Sequence, residues 1–566
     1  MDGTAQTRPM PINRRQFLRG GLFAAGALGV LAIACTPQTA PAAPGAGAPT
    51  PAGAATRAPA PAAAPTTAPG KPTAAPAAPT SSAAQRSGDL IAAGTGDIKF
   101  DPYFQIVPLR FVSEQIFNRL VDFFGPDPQT PNPQVAESWE ETDKTLTIKL
   151  KHGVKFHNGR ELVAQDVVDN IARAKDKSIG HYLYDVFNNS VESAEVIDQY
   201  TVRLNYTTVY PVKLIDLSKL YLIPKEAMAD VATNPVGSGP FKFTSYSSGD
   251  KLVMEAFDDY WNKPRPFLKS VTVKIIADPQ ARLANLQGGS VDAVNALALS
   301  DAVRLQNDPN LQILKYPPGG TWYANVLNLA HPPFDNKLVR QALNYSLDRE
   351  TINKLAYYGT GPTTQSRYLP DNFWYDQKAA TMYSFDLNKA KSLLQEAGMG
   401  NGFETTISIS ESVLPGSQAM AQVWAQDLAK IGITLNIQQK EQGPFYDEYF
   451  NGNYDIQAYG LGDGGFDPAT EITNSSPMRL ANNKANLQTA PFFEEYKNLV
   501  LQGTTSIDRN VRKPIYDKIQ EMVAEESWVL ILAFWVTVNG LTKRVQGFEL
   551  PIDQVISLGN VKLSTG

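Results

Sequence analysis

The sequence predicts a mixed α/β protein of at least two lobes. Three observations predict it. The chain has 566 residues, 43% of them apolar, and a single hydrophobic core stops growing at roughly 250–300 residues. From Asp89 onward, segments that alternate apolar and polar residues are interspersed with segments of helical period, the mixture that layered α/β or α+β bodies require. No repeat of 20–50 residues is visible, which argues against a solenoid.

The elements follow in order. Leu146-Thr-Ile-Lys-Leu-Lys alternates as a half-buried strand does. Val163–Ala174 has helical period. Gly237-Ser-Gly-Pro is a turn that runs into a strand at Phe241, and 251–257 and 270–276 are two further strands. Leu338–Leu347 is helical and resumes over Asp348–Tyr357 after a break. Leu387–Ala397 is an amphipathic helix stopped by Gly398. Gln418–Ile431 is another, followed by a strand from Ile433. Trp139, Phe156 and Trp261 are expected as core anchors, because large aromatics dominate buried area. Gly153, Gly159 and Gly239 are expected at tight turns, and Arg340 and Asp348 are expected to pair or cap along a helix.

The first 88 residues have a different character. Arg14 and Arg15 stand before Gln-Phe-Leu, the pattern of a twin-arginine export signal. A short apolar stretch over 21–34 fits a signal core and is too short for a membrane span. It ends in Leu31-Ala-Ile-Ala-Cys35, which is similar to the site where a bacterial signal peptidase cuts before a lipid-modified Cys. Cys35 is the only cysteine in the chain, so no disulfide forms within it. Residues 36–88 then contain 32 Ala or Pro in 53 positions and no aromatic residue, Val, Ile, Leu or Met. Such a tract has too little apolar surface to offset the entropy of ordering. The expectation is a signal peptide over 1–34, and a lipidated Cys with a disordered stalk over 35–88.

Charge and motifs exclude several functions. The net charge is −5 overall. Beyond residue 87 there are 44 basic and 55 acidic residues, a net charge of −11, which argues against nucleic acid as a partner. Four histidines and one cysteine make a His- or Cys-rich metal site improbable. The pair His152 and His157 lacks further ligands nearby. There is no phosphate-binding Gly-x-x-x-x-Gly-Lys loop, no Gly-x-Ser-x-Gly elbow and no His-Glu-x-x-His. No cofactor is expected. Asp463 and Asp467 bracket Gly-Gly-Phe. They are conceivable as an acid–base pair, but nothing nearby completes such a site, and the plainer reading is a turn cap.

Several blocks in fixed order carry a resemblance. They include Pro133-Gln-Val-Ala-Glu-Ser-Trp139, Asp143-Lys-Thr-Leu through His152-Gly153-Val-Lys-Phe-His-Asn-Gly159, Ala164-Gln-Asp166, Pro235-Val-Gly-Ser-Gly-Pro, Asp259-Tyr-Trp261, Leu286-Gln-Gly-Gly, Pro333-Phe-Asp-Asn through Asp348-Arg, Asp386 through Gly398, and Tyr454-Asp-Ile. Together they resemble the extracytoplasmic solute-binding proteins of family 5, the oligopeptide- and dipeptide-binding proteins of ABC importers. The resemblance runs from about residue 90 to the end.

The resemblance implies a two-lobed periplasmic-binding-protein-like fold of class II type with an additional inserted subdomain. By family order the first lobe takes 88–127, 223–320 and 536–566, the inserted subdomain 128–222, and the second lobe 321–535. The implied role is capture of a peptide in an interlobe cleft and its delivery to ABC permease subunits, with no enzymatic chemistry. The protein is then expected as a monomer on the outer face of the cytoplasmic membrane, held by its lipid anchor. Gln105, Ile106 and Val107 are implied to offer backbone groups to the ligand. Asp463 is implied to receive the peptide's amino terminus, with Tyr459, Phe466, Trp322 and Tyr323 nearby. The chain departs from the family where Gly460 stands in place of a Trp, and by one extra residue before Asp467-Pro. An oligosaccharide ligand is the alternative within the fold, since Trp322, Tyr323, Phe373, Trp374, Tyr375 and Trp535 supply aromatic faces. A tethered exported hydrolase is the alternative of another class, and a cell-wall adhesion or signalling module a third. The scarcity of His argues against nickel or haem as cargo.

Overall fold

The computed structural model describes residues 86–96, 98–104, 107–123, 129–318, 320–461, 467–473, 485–551 and 555–564. The signal and stalk readings, with Arg14, Arg15 and Cys35, lie outside the described residues.

Two sheets organise the body. One has seven strands, in the order Leu311–Lys315, Val538–Thr542, Ala293–Val294, Asp89–Gly94, Ser270–Ile275, Lys251–Ala256 and Phe241–Ser247. Asp89–Gly94 pairs in parallel with both Ser270–Ile275 and Ala293–Val294. The other has five strands, in the order Thr434–Gln439, Glu404–Ile409, Ile456–Leu461, Trp322–Leu327 and Val529–Phe534. A separate four-stranded antiparallel sheet, Ala136–Glu141 through Tyr206, is inserted in sequence between strands of the seven-stranded sheet. Trp322–Leu327 and Val529–Phe534 are buried at every position, as expected of strands covered on both faces.

The predicted elements appear within a residue or two. The strand at 146 is Thr145–Leu150 and the helix at 163 is Ala164–Ala174. The break between the paired helices is the Asp348 N-cap, whose carboxylate accepts from Thr351 N at 3.0 Å to start Arg349–Ala356. Arg340 does not pair with Asp348. Its buried guanidinium meets Glu526 at 2.8 Å and the carbonyls of Phe334 and Asp335, which clamps the helix Lys337–Tyr345 to the end of the helix Arg509–Glu526. Gly153 and Gly159 have φ of 72° and 88°, as tight turns require. Gly239 has another role: a Cβ there would lie 2.4 Å from the Gln115 carbonyl oxygen, so the loop is glycine to let two backbones touch. Phe156 is fully buried. Trp139 and Trp261 only flank the core, and Trp261 bonds Asn118 through its indole N–H and lies under Lys151.

The histidines do structural work. His157 uses both ring nitrogens, Nε2 with the Gly239 carbonyl at 3.0 Å and Nδ1 with the Gly237 N–H. Nδ1 of His181 accepts from Leu183 N at 2.9 Å while its ring packs edge-on to Tyr103. Burial pushes the His157 imidazole down to about 4 and that of His181 to about 3. Both are neutral when folded and protonate more readily when unfolded. Their stabilisation is complete above the ordinary value near 6.5 and is lost as pH falls toward the folded values. Urea midpoints should therefore fall between pH 6.5 and 4, with each histidine contributing about 1.4 kcal/mol per pH unit. His181→Leu should flatten that slope, and an unchanged slope would show that His181 is not the buried neutral group described.

Candidate functional site

Strand register locates the site. In the five-stranded sheet Glu404–Ile409 runs parallel to Thr434–Gln439 and Ile456–Leu461, and Trp322 pairs with both Leu461 and Phe534. Three carboxyl ends, the start of Trp322–Leu327 and the end of Val529–Phe534 thus share one edge. In the seven-stranded sheet Lys315 pairs with Val538 and Val294 with Gly540, so the carboxyl ends at Gly94, Ile275, Val294 and Lys315 share an edge with the start of Val538–Thr542. The chain passes between these edges twice, through 316–321 and through 535–537. The two crossings are bonded to each other: Tyr316 N donates to Thr537 O at 3.0 Å, and Trp535 N to Thr321 O at 2.9 Å. In open α/β sheets ligands bind beyond the carboxyl ends of strands, and here both sets of ends flank the same pair of crossings.

On the seven-stranded side, the segment after Asp89–Gly94 is pinned before it reaches position 105. Asp101 accepts from Arg173 at 2.5 Å, both carboxylate and guanidinium being buried, and also from Tyr103 N at 3.1 Å. The Arg173 guanidinium stacks over Tyr103, whose hydroxyl donates to Asn170 Oδ1 at 2.8 Å. Gln105 and Ile106 lie outside the described residues. Val107 opens the helix Val107–Ile116, so what it can offer is the N–H of a first helical turn rather than a strand edge. Across the sheet edge, Ala296 has φ of 55° and its N–H donates to Asn539 Oδ1 at 3.1 Å.

On the five-stranded side Asp463 and Phe466 lie outside the described residues, but the residues on either side of that segment are defined. Asp467 caps the following helix, accepting from Ala469 N at 3.0 Å. Both its oxygens also take a buried Arg512 fork at 2.8 Å each. Burial alone would lower Arg512, yet the bonds and charge of Asp467 hold it above its ordinary value. Asp467 is thus committed to the fold, and the reading of Asp463 and Asp467 as an acid–base pair is withdrawn. At the other flank Tyr459 is buried and stacked on Tyr449 at 4.6 Å. Gly460 lacks a side chain because the space is taken: a Cβ there would meet Leu414 Cδ2 at 2.3 Å and the Trp535 ring at 3.2 Å.

The predicted aromatic faces divide sharply. Trp322, Tyr323 and Trp374 are buried. Phe373 is exposed and carries the Arg509 guanidinium over its ring at 4.4 Å, and Arg509 also donates to Gln129. Trp535 is partly buried on the second crossing, stacked on Tyr323. No group of three His, Cys, Asp or Glu able to hold a metal occurs among the described residues. Sequence reasoning missed Arg512, because nothing local to it signals a partner 45 positions away. The Asp467-Pro dipeptide, a common helix start, was the available clue.

Comparison with known proteins agrees with this architecture. A sequence profile described as bacterial extracellular solute-binding proteins, family 5 Middle, matches residues 130–478. Heme-binding protein A of Haemophilus influenzae is 30% identical over 469 residues, covering 77% of this chain and 84% of that protein. The dipeptide-binding protein of Escherichia coli is 27% identical over 470 residues, with 77% and 86% covered. The solved structure of HbpA2 from Haemophilus parasuis superimposes with a TM-score of 0.72 at 26% identity, covering 84% of this chain and all of that one. The chain belongs to family 5 of the bacterial extracellular solute-binding proteins, and its fold is the two-lobed one of that family.

Removing the Asp467 carboxylate should leave Arg512 buried and uncompensated. Asp467→Ala is expected to cost about 3–5 kcal/mol in chemical unfolding. A loss below about 1 kcal/mol would mean that the pair is solvated and does not anchor the loop.

Proposed function

We propose that the protein captures a peptide outside the cytoplasmic membrane and delivers it to the permease subunits of an ABC importer, acting as a lipid-anchored monomer. The observation that carries this reading is the pair of hydrogen-bonded crossings flanked by the carboxyl ends of both sheets, in a chain of family 5. In this reading 88–127, 223–320 and 536–566 form the first lobe, 128–222 the inserted subdomain and 321–535 the second lobe. The lobes close as a hinge about the crossings.

The relatives differ in the solute their names declare, haem in one and a dipeptide in the other. The choice therefore rests on groups of this chain. Asp463 follows Ile456–Leu461 in the sequence, and a carboxylate is the right partner for a peptide's ammonium, which is costly to desolvate alone. Backbone groups of Gln105, Ile106 and Val107 supply side-chain-independent recognition. Tyr459, Phe466, Trp322 and Tyr323 shape and support the wall. The arginine fixed on Asp467 is not free to meet the ligand's carboxylate, so a terminal carboxylate must find another cation or remain hydrated.

Calorimetry on a free peptide, its N-acetylated form and an oligosaccharide tests the assignment. Asp463→Asn should weaken the free peptide by roughly 2–5 kcal/mol and leave the acetylated form little changed. Equal affinity of both proteins for the free peptide would remove Asp463 from the site, and binding of the oligosaccharide alone would replace the peptide reading. The anchor is tested separately. Cys35→Ser should move the protein from the membrane fraction to the soluble fraction, because one acyl chain holds only weakly and a diacylated cysteine supplies two. Retention of the mutant in the membrane fraction would contradict it.

A further inference from the structure

We infer that Trp535, on the second crossing, is a solute-contacting ring: a flat or apolar group of the captured molecule stacks on it, beside an acceptor that takes its indole N–H. The inference deepens the solute-capture reading above and rests on it.

Three rings form a ladder. Tyr357 and Tyr323 stack at 3.9 Å with planes 4° apart, and Tyr323 and Trp535 follow at 5.4 Å and 15°. Exposure rises along it. Tyr357 and Tyr323 are 2% and 3% exposed, and Trp535 at the outer end is only partly buried. The inner rings are core, as stacked pairs of tyrosines commonly are. The outer ring is not in a core element. It stands on the three-residue crossing, its own amide tied to Thr321 of the other crossing, so its position follows the hinge.

Two further observations separate Trp535 from a packing residue. The first is its polar atom. Buried indoles normally find an acceptor, as Trp424 does with Ser346 and Trp261 with Asn118. The N–H of Trp528 is sealed from solvent without a partner. That of Trp535 has no acceptor among the described residues and is not sealed. The second is Gly460. A glycine inside a strand weakens it and marks a close approach by something else. Here the approaching groups are Leu414 and the six-membered ring of Trp535. The neighbouring strand thus gives up its side chain and fixes the indole from one side, at the edge where the strands' carboxyl ends meet the crossings. An indole held against this strand, partly exposed and carrying a free donor suits an amide-bearing group with an apolar or aromatic face.

The test uses the mature protein and the tripeptides Ala-Ala-Ala, Phe-Ala-Ala, Ala-Phe-Ala and Ala-Ala-Phe. At least one phenylalanine peptide should bind the wild type tenfold or more tighter than trialanine. That ratio should collapse to within twofold in Trp535→Leu and largely persist in Trp535→Phe, with thermal unfolding confirming that both variants fold. Survival of the ratio in Trp535→Leu, or its absence in a wild type that binds trialanine, would overturn the inference while leaving solute capture intact. If no tripeptide binds, the peptide reading fails, and a solute-independent measurement decides. The fluorescence difference between wild type and Trp535→Phe should be quenched by acrylamide as a solvent-reachable indole is. A difference spectrum shielded from acrylamide would overturn the assignment.

Discussion

One constraint arranges the body: among the described residues two sheets of opposite halves are joined by two short crossings, and those crossings bond to each other. The bonds from Tyr316 N to Thr537 O and from Trp535 N to Thr321 O turn two connecting loops into a two-stranded ribbon. Hinge motions concentrate their φ/ψ changes in a few such connecting residues. Each sheet is the centre of a core cluster. The largest cluster gathers around Trp322–Leu327 and Val529–Phe534 and takes in Phe123, Val212 and Ile215 from the other half, and the next gathers around Asp89–Gly94, Ser270–Ile275 and the four-stranded sheet. In the proposed function the halves move as bodies and the ribbon between them bends.

Two buried ion pairs fix segments that follow strands of the two sheets. Arg173–Asp101 holds the segment that leads to position 105, and Arg512–Asp467 holds the segment that follows position 463. Both pairs are buried. Such pairs add little net stability over an apolar substitute but are very costly to break singly, which suits them to specifying a single loop geometry. The two segments pinned in this way follow strands of opposite sheets.

Much of this was legible in the sequence. Period and turn residues place the helices and strands within a residue or two, because local signals such as the Asp348 cap and the turn glycines act where they stand. Resemblance supplied the two-lobed class. What could not be read was whatever depends on residues distant in the chain. Arg340 meets Glu526 rather than Asp348. Gly239 serves a backbone 123 positions away at Ile116 rather than a turn. Trp139 and Trp261, read as anchors by size, sit at the margin of the core. The aromatic faces were the hardest, since composition cannot tell an inner rung such as Tyr323 from an outer one such as Trp535; only the strand's position in the sheet, and a glycine on its neighbour, separate them.

The claim that the ribbon is the hinge of a solute-capturing cleft is tested most directly by the distance between the halves. Asp258 and Leu501 are exposed, one beside the seven-stranded sheet and one at the end of the helix Phe493–Gln502. Cysteines placed there in a Cys35→Ser background, spin-labelled and measured by pulsed electron resonance with and without a pool of tripeptides, read the arrangement. The account predicts a broad distribution that shifts and narrows when the solute saturates the protein. The same distribution with and without solute, while calorimetry on that sample shows full binding, would contradict it.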